Sequence, residues 1–350
     1  ASQRTKTAFV STNSISQGEQ VGILWNELFN TYKSKIHFAH RTFSWSNEAR
    51  GNAAVHVVII GFANYDIDEK RIFEYEHIKG EPQEVKAKNI NPYLVEGNDV
   101  TITKKRDAIC LVPEISFGSM PNDGGGLLLS NEEKEQLILN EPNVQKFIKP
   151  LLSAHEFING EFRWCLWLVD VNPTEIKGSS EIFSRINQVK EHRNNSTRAA
   201  TKKLADFPTL FGENRQPKSD YILIPRHSSE NRVYIPFGFF SSDYIVSDSC
   251  LFVANATHYH FGVLNSLMHM IWVKTVCGRI KSDYRYSNEL VYNNYPFPQS
   301  PTDKQKEAVE KAAQAVLDAR ALFPDSSLAD LYDPNTMPPA LVKAHQQLDK

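Results

Sequence analysis

The chemistry-bearing side chains of this 350-residue sequence fall into four groups. In the first, His40-Arg41-Thr42-Phe43-Ser44-Trp45 interleaves aromatic rings with basic and hydroxyl groups. Rings of this kind either stack on a flat ligand or pack in a sheet's core, and the residues alone support both readings equally. A second group is Arg226, Ser228, Ser229, Glu230, Asn231 and Arg232, whose side-chain types bond the edges of nucleobases. The third is the most basic window of the chain, with Lys190, Arg193, Arg198, Lys202 and Lys203. It suits a row of phosphates or a solvated helix face. Last, Arg279, Lys281, Tyr284 and Arg285 combine cations with phenols that could grip a sugar-phosphate backbone or organise a turn.

Other patterns carry less. His258, His260 and His269 lack nearby cysteines and a His-x-x-x-His frame, so no metal site is expected. Glu84-Val85-Lys86 with Asp68 is too short to indicate a metal-dependent nuclease. Gly124-Gly125-Gly126 is followed by no Gly-Lys-Ser/Thr and reads as a turn. Four scattered cysteines suggest reduced thiols in a cytoplasm, and no apolar run is long enough to span a bilayer. With a formal net charge of -2, any contact with a polyanion must be local.

The elements that position these groups follow from periodicity. A strand over residues 7–11 ends in polar residues, among them Asn13, where an α/β sheet gathers its ligand-facing groups. Ser16 and Glu19 have capping-box spacing, and Val21, Leu24, Trp25, Leu28, Phe29 and Tyr32 continue as a helical stripe. Strands are expected over residues 36–39 and 53–61, which puts residues 40–45 on the loop joining them. Residues 1–65 thus read as the end of an open α/β sheet, and 66–105 as a connection with short strands. From 106 to 300 the reading is mixed α+β. It has a capped helix at Ser130, strands over 162–169 and 221–225, and a helix through Ile182, Phe183, Ile186 and Val189. Strand-like runs 221–225 and 233–237 would frame the polar loop. A buried helix between 255 and 278, carrying Phe261, Leu264, Met268, Ile271 and Trp272, would stop at Gly278 as its C-terminal cap. Thr302 and Gln305 open a final helical segment over 301–350, striped by Val309, Ala312, Val316 and Ala319.

In order and wording, residues 8–18, 40–45 and 52–62 resemble the last motifs of adenine-specific DNA methyltransferases, above all the MmeI-like single-chain type II restriction-modification enzymes. The resemblance continues through residues 224–230, 278–287, 292–298, 331–334 and 337–339. It implies the end of a Rossmann-like class I methyltransferase sheet, then a mixed α+β target recognition domain, then a C-terminal helical segment. The family's catalytic Asn/Asp-Pro-Pro-Tyr/Phe tetrapeptide is absent, and Asn91-Pro92-Tyr93 comes after the relevant strands. Its glycine-rich cofactor loop is absent too, so the chain reads as part of a longer enzyme, with no catalytic residue of its own. S-adenosylmethionine is expected to serve the full-length enzyme and not to bind this chain.

Methylating an adenine amine requires the base to leave the duplex and stack in a pocket. The resemblance assigns that stacking to Phe43, with Trp45 and Asn13 beside it. The residue types themselves point to base reading by Arg226, Ser228, Ser229, Glu230, Asn231 and Arg232, and to backbone contacts by the third and fourth groups, Tyr284 included. The implied partner is double-stranded DNA, with no membrane and no obligate protein partner, and a nuclease domain elsewhere in the full-length protein. Two other readings stay open: a DNA specificity module without chemistry of its own, and a phage-defence methyltransferase outside restriction.

Overall fold

Strand β1 (Thr7–Thr12) runs through a 3-10 turn (Asn13–Ser16) into helix α1 (Glu19–Asn30). Four more strands complete a sheet: β2 (Lys35–Trp45), β3 (Val55–Ala63), β4 (Lys70–Tyr75) and β5 (Pro82–Ala87). The computed structural model describes residues 5–45 and 55–350, so the 53–54 start of the expected third strand lies outside the described residues. Contacts divide the chain into two units. One comprises Ala1–Leu111, Ser228–Glu230 and Ile271–Phe297; the other comprises Val112–His227, Asn231–Met270 and Pro298–Lys350.

In the first unit the strand order is β1-β3-β2-β4-β5. β3 is antiparallel to both β1 and β2, which makes β1 and β2 parallel to each other with α1 as their crossover. β4 adds parallel to β2, and β5 returns antiparallel. Residues 70–87 are therefore sheet edge as well as connection. α1 buries Val21, Gly22 and Trp25, and the Trp25 indole donates to the Ile15 carbonyl at 2.7 Å. The start of α1 differs from expectation. Ser16 donates back to the Asn13 carbonyl at 3.0 Å, and Gly18 takes the cap position with φ +64° and no side-chain cap. The reason is steric, because a Cβ on Gly18 would lie 2.9 Å from the Cα of Gly278.

Residues 40–45 continue β2 and are not a loop. His40 pairs with Ile59 and Phe43 with Val57, so Arg41 and Thr42 both stand opposite Val58 in a β-bulge. The extra residue restores the alternation in favour of one face, bringing Phe38, His40, Phe43 and Trp45 into a single aromatic row. Towards the end of this unit, Asn293 donates to the Lys105 and Arg106 carbonyls at 2.9 and 2.8 Å, and Asn294 to the Thr103 carbonyl at 2.9 Å. The Tyr-Asn-Asn-Tyr motif thus satisfies the irregular backbone of 103–106, with Tyr292 and Tyr295 buried beside it.

The second unit holds two sheets. Tyr221–Pro225 is fully buried between Gly238–Phe240 and Cys250–Ala254, and Ile115–Phe117 completes the order. Ile148–Leu152 lies between Ile245–Val246 and Arg163–Leu166 in the other sheet, which Leu128–Leu129 closes. Its core takes Leu127, Leu137, Ile182, Ile186 and Val189, so helices Asn131–Asn140 and Ser180–Asn194 cover that sheet. The expected helix over 255–278 is interrupted: His258–Leu264 ends at Asn265, and Leu267–Val276 begins a separate helix. Gly278 opens strand Gly278–Ile280 instead of capping a helix, and Met268 and Ile271 are exposed. Val233–Phe237, expected as a strand, is irregular. Capping boxes form as expected at Ser130 and Thr302, the latter opening the long helix Asp303–Ala321.

Candidate nucleic-acid interface

The aromatic row of β2 is doubled by β4. Phe43 stacks on Tyr75 with centroids 5.0 Å apart and planes 19° from parallel; His40 stacks on Phe73 at 4.2 Å and 7°. The Tyr75 hydroxyl lies 2.8 Å from His40 Nδ1. Burial lowers the His40 pKa below the ordinary histidine value, so the ring is neutral at neutral pH and the row carries no charge. Phe43 is half-buried, and Trp45 beside it is 46% exposed. Phe73 and Tyr75 had a signal in the sequence, since they alternate with charged residues at period two, but the surrounding charge masks it.

Next to this row, still within the first unit, a cleft of about 740 Å³ is lined by Asn13, Arg41, Thr42, Tyr75, Lys274 and Arg279, among others. Each lining group has a structural cause. The turn after β1 brings in Asn13, which is only 8% exposed, and the bulge brings in both Arg41 and Thr42. Arg41 is held by Glu74 across the sheet at 3.0 Å. The cleft wall therefore carries hydrogen-bonding groups and charges of both signs, Arg41, Lys274 and Arg279 with Glu74, Glu76 and Glu230, and Tyr75 is the member of the neutral aromatic row that reaches it. That combination holds a flat polar ring by stacking and bonds its edge.

The hairpin of Gly278–Ile280 and Asp283–Arg285 belongs to the same unit. Exposed Lys281 and Arg285 project from it, whereas Arg279 turns inward. The Arg279 guanidinium lies over the Tyr284 ring at 4.5 Å and donates to the Ser282 carbonyl at 2.7 Å. Tyr284, named above for backbone contact, is 3% exposed and donates its hydroxyl to the Glu230 carbonyl at 3.2 Å, so it organises the hairpin instead. Glu230 is held on three sides: its N–H donates to Asp283 at 3.2 Å, its carbonyl accepts from Tyr284, and its carboxylate lies 3.7 Å from Arg279. Ser228 is buried and Ser229 half-buried.

In the second unit Arg226 donates to the Asp248 carbonyl at 2.9 Å and stacks over Phe117, while Asn231 is exposed and Arg232 half-buried. Of the basic window, Lys190, Arg198, Lys202 and Lys203 are exposed. Arg193 is not. It is 0% exposed, and its guanidinium donates to the carbonyls of Pro121, Asn122, Leu204, Phe207 and Leu210 at 2.7–3.0 Å. The expected phosphate contact is corrected at this residue, because no donor is left for a ligand once the backbone is served.

Glu84 pairs with Arg71 and Lys86 with Glu69 on the sheet surface. Among the described residues no group of three or more His, Cys, Asp or Glu is placed to hold a metal ion, and no helix is long and apolar enough to cross a membrane. S-adenosylmethionine, implied for the full-length enzyme, needs open backbone to approach. Gly125 faces open space, but Gly124 and Gly126 on either side do not fit it. A Cβ on Gly124 would meet the His192 ring at 2.6 Å, and one on Gly126 would meet Val189 at 2.7 Å, so these glycines admit neighbouring side chains and not a ligand.

Three family models match the chain: the MmeI DNA-methyltransferase domain over residues 1–74, the MmeI target recognition domain over 96–299, and the MmeI C-terminal domain over 301–350. DNA methyltransferase A of Bacillus subtilis (strain 168) is 42% identical over 344 residues, 98% of this chain and 38% of that protein. The solved structure of the Type IIL restriction-modification enzyme MmeI in complex with DNA aligns with a TM-score of 0.92 at 49% identity, covering 99% of this chain and 46% of that one. The chain thus spans less than half the length of either relative.

Proposed function

The chain belongs to the MmeI family, and from that premise we propose that the full-length protein methylates adenine at a defined site in double-stranded DNA, with S-adenosylmethionine as methyl donor. In this reading β1, α1, β2 and β3 form the end of a Rossmann-like sheet, residues 106–300 recognise the target, and 301–350 are the helical segment behind it. The observation that carries the proposal is the stack of Phe43 on Tyr75 beside a cleft that Asn13 enters. A flipped adenine slides onto Phe43, with Trp45 as wall and Asn13 at its edge. Exposed Lys190, Arg198, Lys202, Lys203, Lys281 and Arg285 meet phosphates. Arg226, Ser228, Ser229, Glu230, Asn231 and Arg232 form the base-reading segment, where the half-buried and exposed members face the DNA and Ser228 shapes the backbone. Such a protein works in the cytoplasm, where its DNA is.

The test is Phe43→Ala in the full-length enzyme. Losing one stacking partner removes ~1–3 kcal/mol, so methylation at limiting DNA falls by roughly ten- to a hundredfold. Phe43→Tyr restores most of it, and the melting temperature of Phe43→Ala stays within a few degrees because the ring is only half-buried. Normal methylation by a Phe43→Ala enzyme that melts far below wild type would return Phe43 to the core.

A further inference from the structure

From Tyr234 to Phe237 the backbone is buried yet belongs to no strand, so other groups must fix its path. Met270 Sδ accepts the Ile235 N–H at 3.3 Å, and the other groups come from the C-terminal helices of the same unit. The Tyr234 ring stacks on His345, with centroids 3.9 Å apart and planes 18° from parallel, and its hydroxyl donates to Asp349 Oδ2 at 2.6 Å. The other oxygen of Asp349 accepts the Leu267 N–H at 2.7 Å, at the start of the helix Leu267–Val276. Arg320, from Asp303–Ala321, donates to the Phe237 carbonyl at 2.6 Å and to the Tyr332 hydroxyl at 2.7 Å. With its lone pair taken by Arg320, the Tyr332 hydroxyl gives its proton to His345 Nε2, 2.8 Å away. His345 is fully buried and its pKa is pushed down to about 3, so the ring accepts as a neutral base.

We infer that Arg320, His345 and Asp349 are positioning residues for target reading: the C-terminal helical segment fixes the backbone that presents Asn231 and Arg232. Immediately before the clamped stretch, Asn231 is exposed and Arg232 half-buried, so a shift in Tyr234 passes directly to them. Base-edge contacts tolerate a displacement of only ~0.5 Å, which irregular backbone holds only if its own anchors are rigid. This inference rests on the proposed role of residues 226–232 in base reading.

The experiment compares methylation by the full-length enzyme at its own site and at sites with one base changed, for wild type, Asp349→Ala, Arg320→Met and Tyr234→Phe. Discrimination is expected to fall about tenfold in the first two variants and less in Tyr234→Phe, with the rate at the correct site within about twofold of wild type. Ile186→Ala, in the other core of the unit, serves as a variant destabilised elsewhere and should keep full discrimination. Tyr234→Phe deletes one hydroxyl and decides the matter if Arg320→Met does not fold. Unchanged discrimination in every folded clamp variant overturns the inference, as does an equal loss in Ile186→Ala. A wild-type enzyme that methylates no defined site overturns the underlying reading and the inference with it.

Discussion

Arg193 and Lys202 stand nine residues apart in one basic window and in opposite surroundings. In sequence they are equivalent cations, and nothing in composition separates them. In the structure Arg193 joins five carbonyls of two separate stretches, 121–122 and 204–210, while Lys202 is exposed. Helical spacing held the one available clue, because Ile182, Ile186, Val189 and Arg193 repeat on the buried face of Ser180–Asn194. Removing Arg193 strands those acceptors, so Arg193→Met should cost ~3–5 kcal/mol and lower DNA binding only through the folded fraction. Lys202→Ala should leave stability within ~0.5 kcal/mol and weaken DNA binding evenly across sequences, flattening the slope of log affinity against log salt by ~0.9. Thermal melts and binding titrations at several salt concentrations check both. The assignment fails if Arg193→Met melts like wild type.

Elements were legible where a local signal sufficed and illegible where a distant neighbour decided. Ser130 and Thr302 form capping boxes because their first turns are free to close on themselves. Ser16 has the same spacing, but the tight turn after β1 draws its hydroxyl back to Asn13, and Gly278 presses against Gly18 from 260 residues away in sequence. The bulge in β2 was equally hidden, since it shows only in the register against β3. It matters for the site, because with three residues from His40 to Phe43 regular pairing would turn Phe43 away from the face that carries His40, and the bulge returns it there. Gly18 tests this level directly. With φ at +64° and backbone 2.9 Å from where a Cβ would sit, Gly18→Ala should destabilise the protein by ~1–3 kcal/mol, whereas a glycine used only as a helix starter would tolerate alanine for about 1 kcal/mol or less. Denaturant midpoints distinguish the two, and a loss under ~0.5 kcal/mol would mean that the Gly278 contact gives way freely.

Over the whole molecule, near-neutral charge leaves any contact with DNA to local cations, and buried histidines contribute to the response to acid. His269 and His345 are both fully buried in the second unit, and burial pushes each pKa from 6.5 down to about 3. Once unfolded, each ring regains an ordinary pKa and binds a proton that the folded state refuses. Between pH 6.5 and 3 the unfolded state therefore holds more protons, and stability falls as pH falls through that window. Each fully titrating histidine contributes a slope of ~1.4 kcal/mol per pH unit, and above pH 6.5 the effect vanishes because both states are neutral. Carboxylates held low by partners, such as Glu133 beside Arg185, act only nearer their own lower range. The interval just below pH 6.5 therefore isolates the histidines. Hydrogen exchange of peptides within 231–270 and 298–350, followed from pH 7 to 5 and corrected for intrinsic rates, should show protection falling with acid. His345→Gln should remove one proton's share of that slope while His269 and the partly buried His260 keep theirs. A slope identical in wild type and His345→Gln would mean that His345 takes up its proton as readily in the folded protein as in the unfolded chain, and its acceptance from Tyr332 as a neutral ring through this window would have to be abandoned.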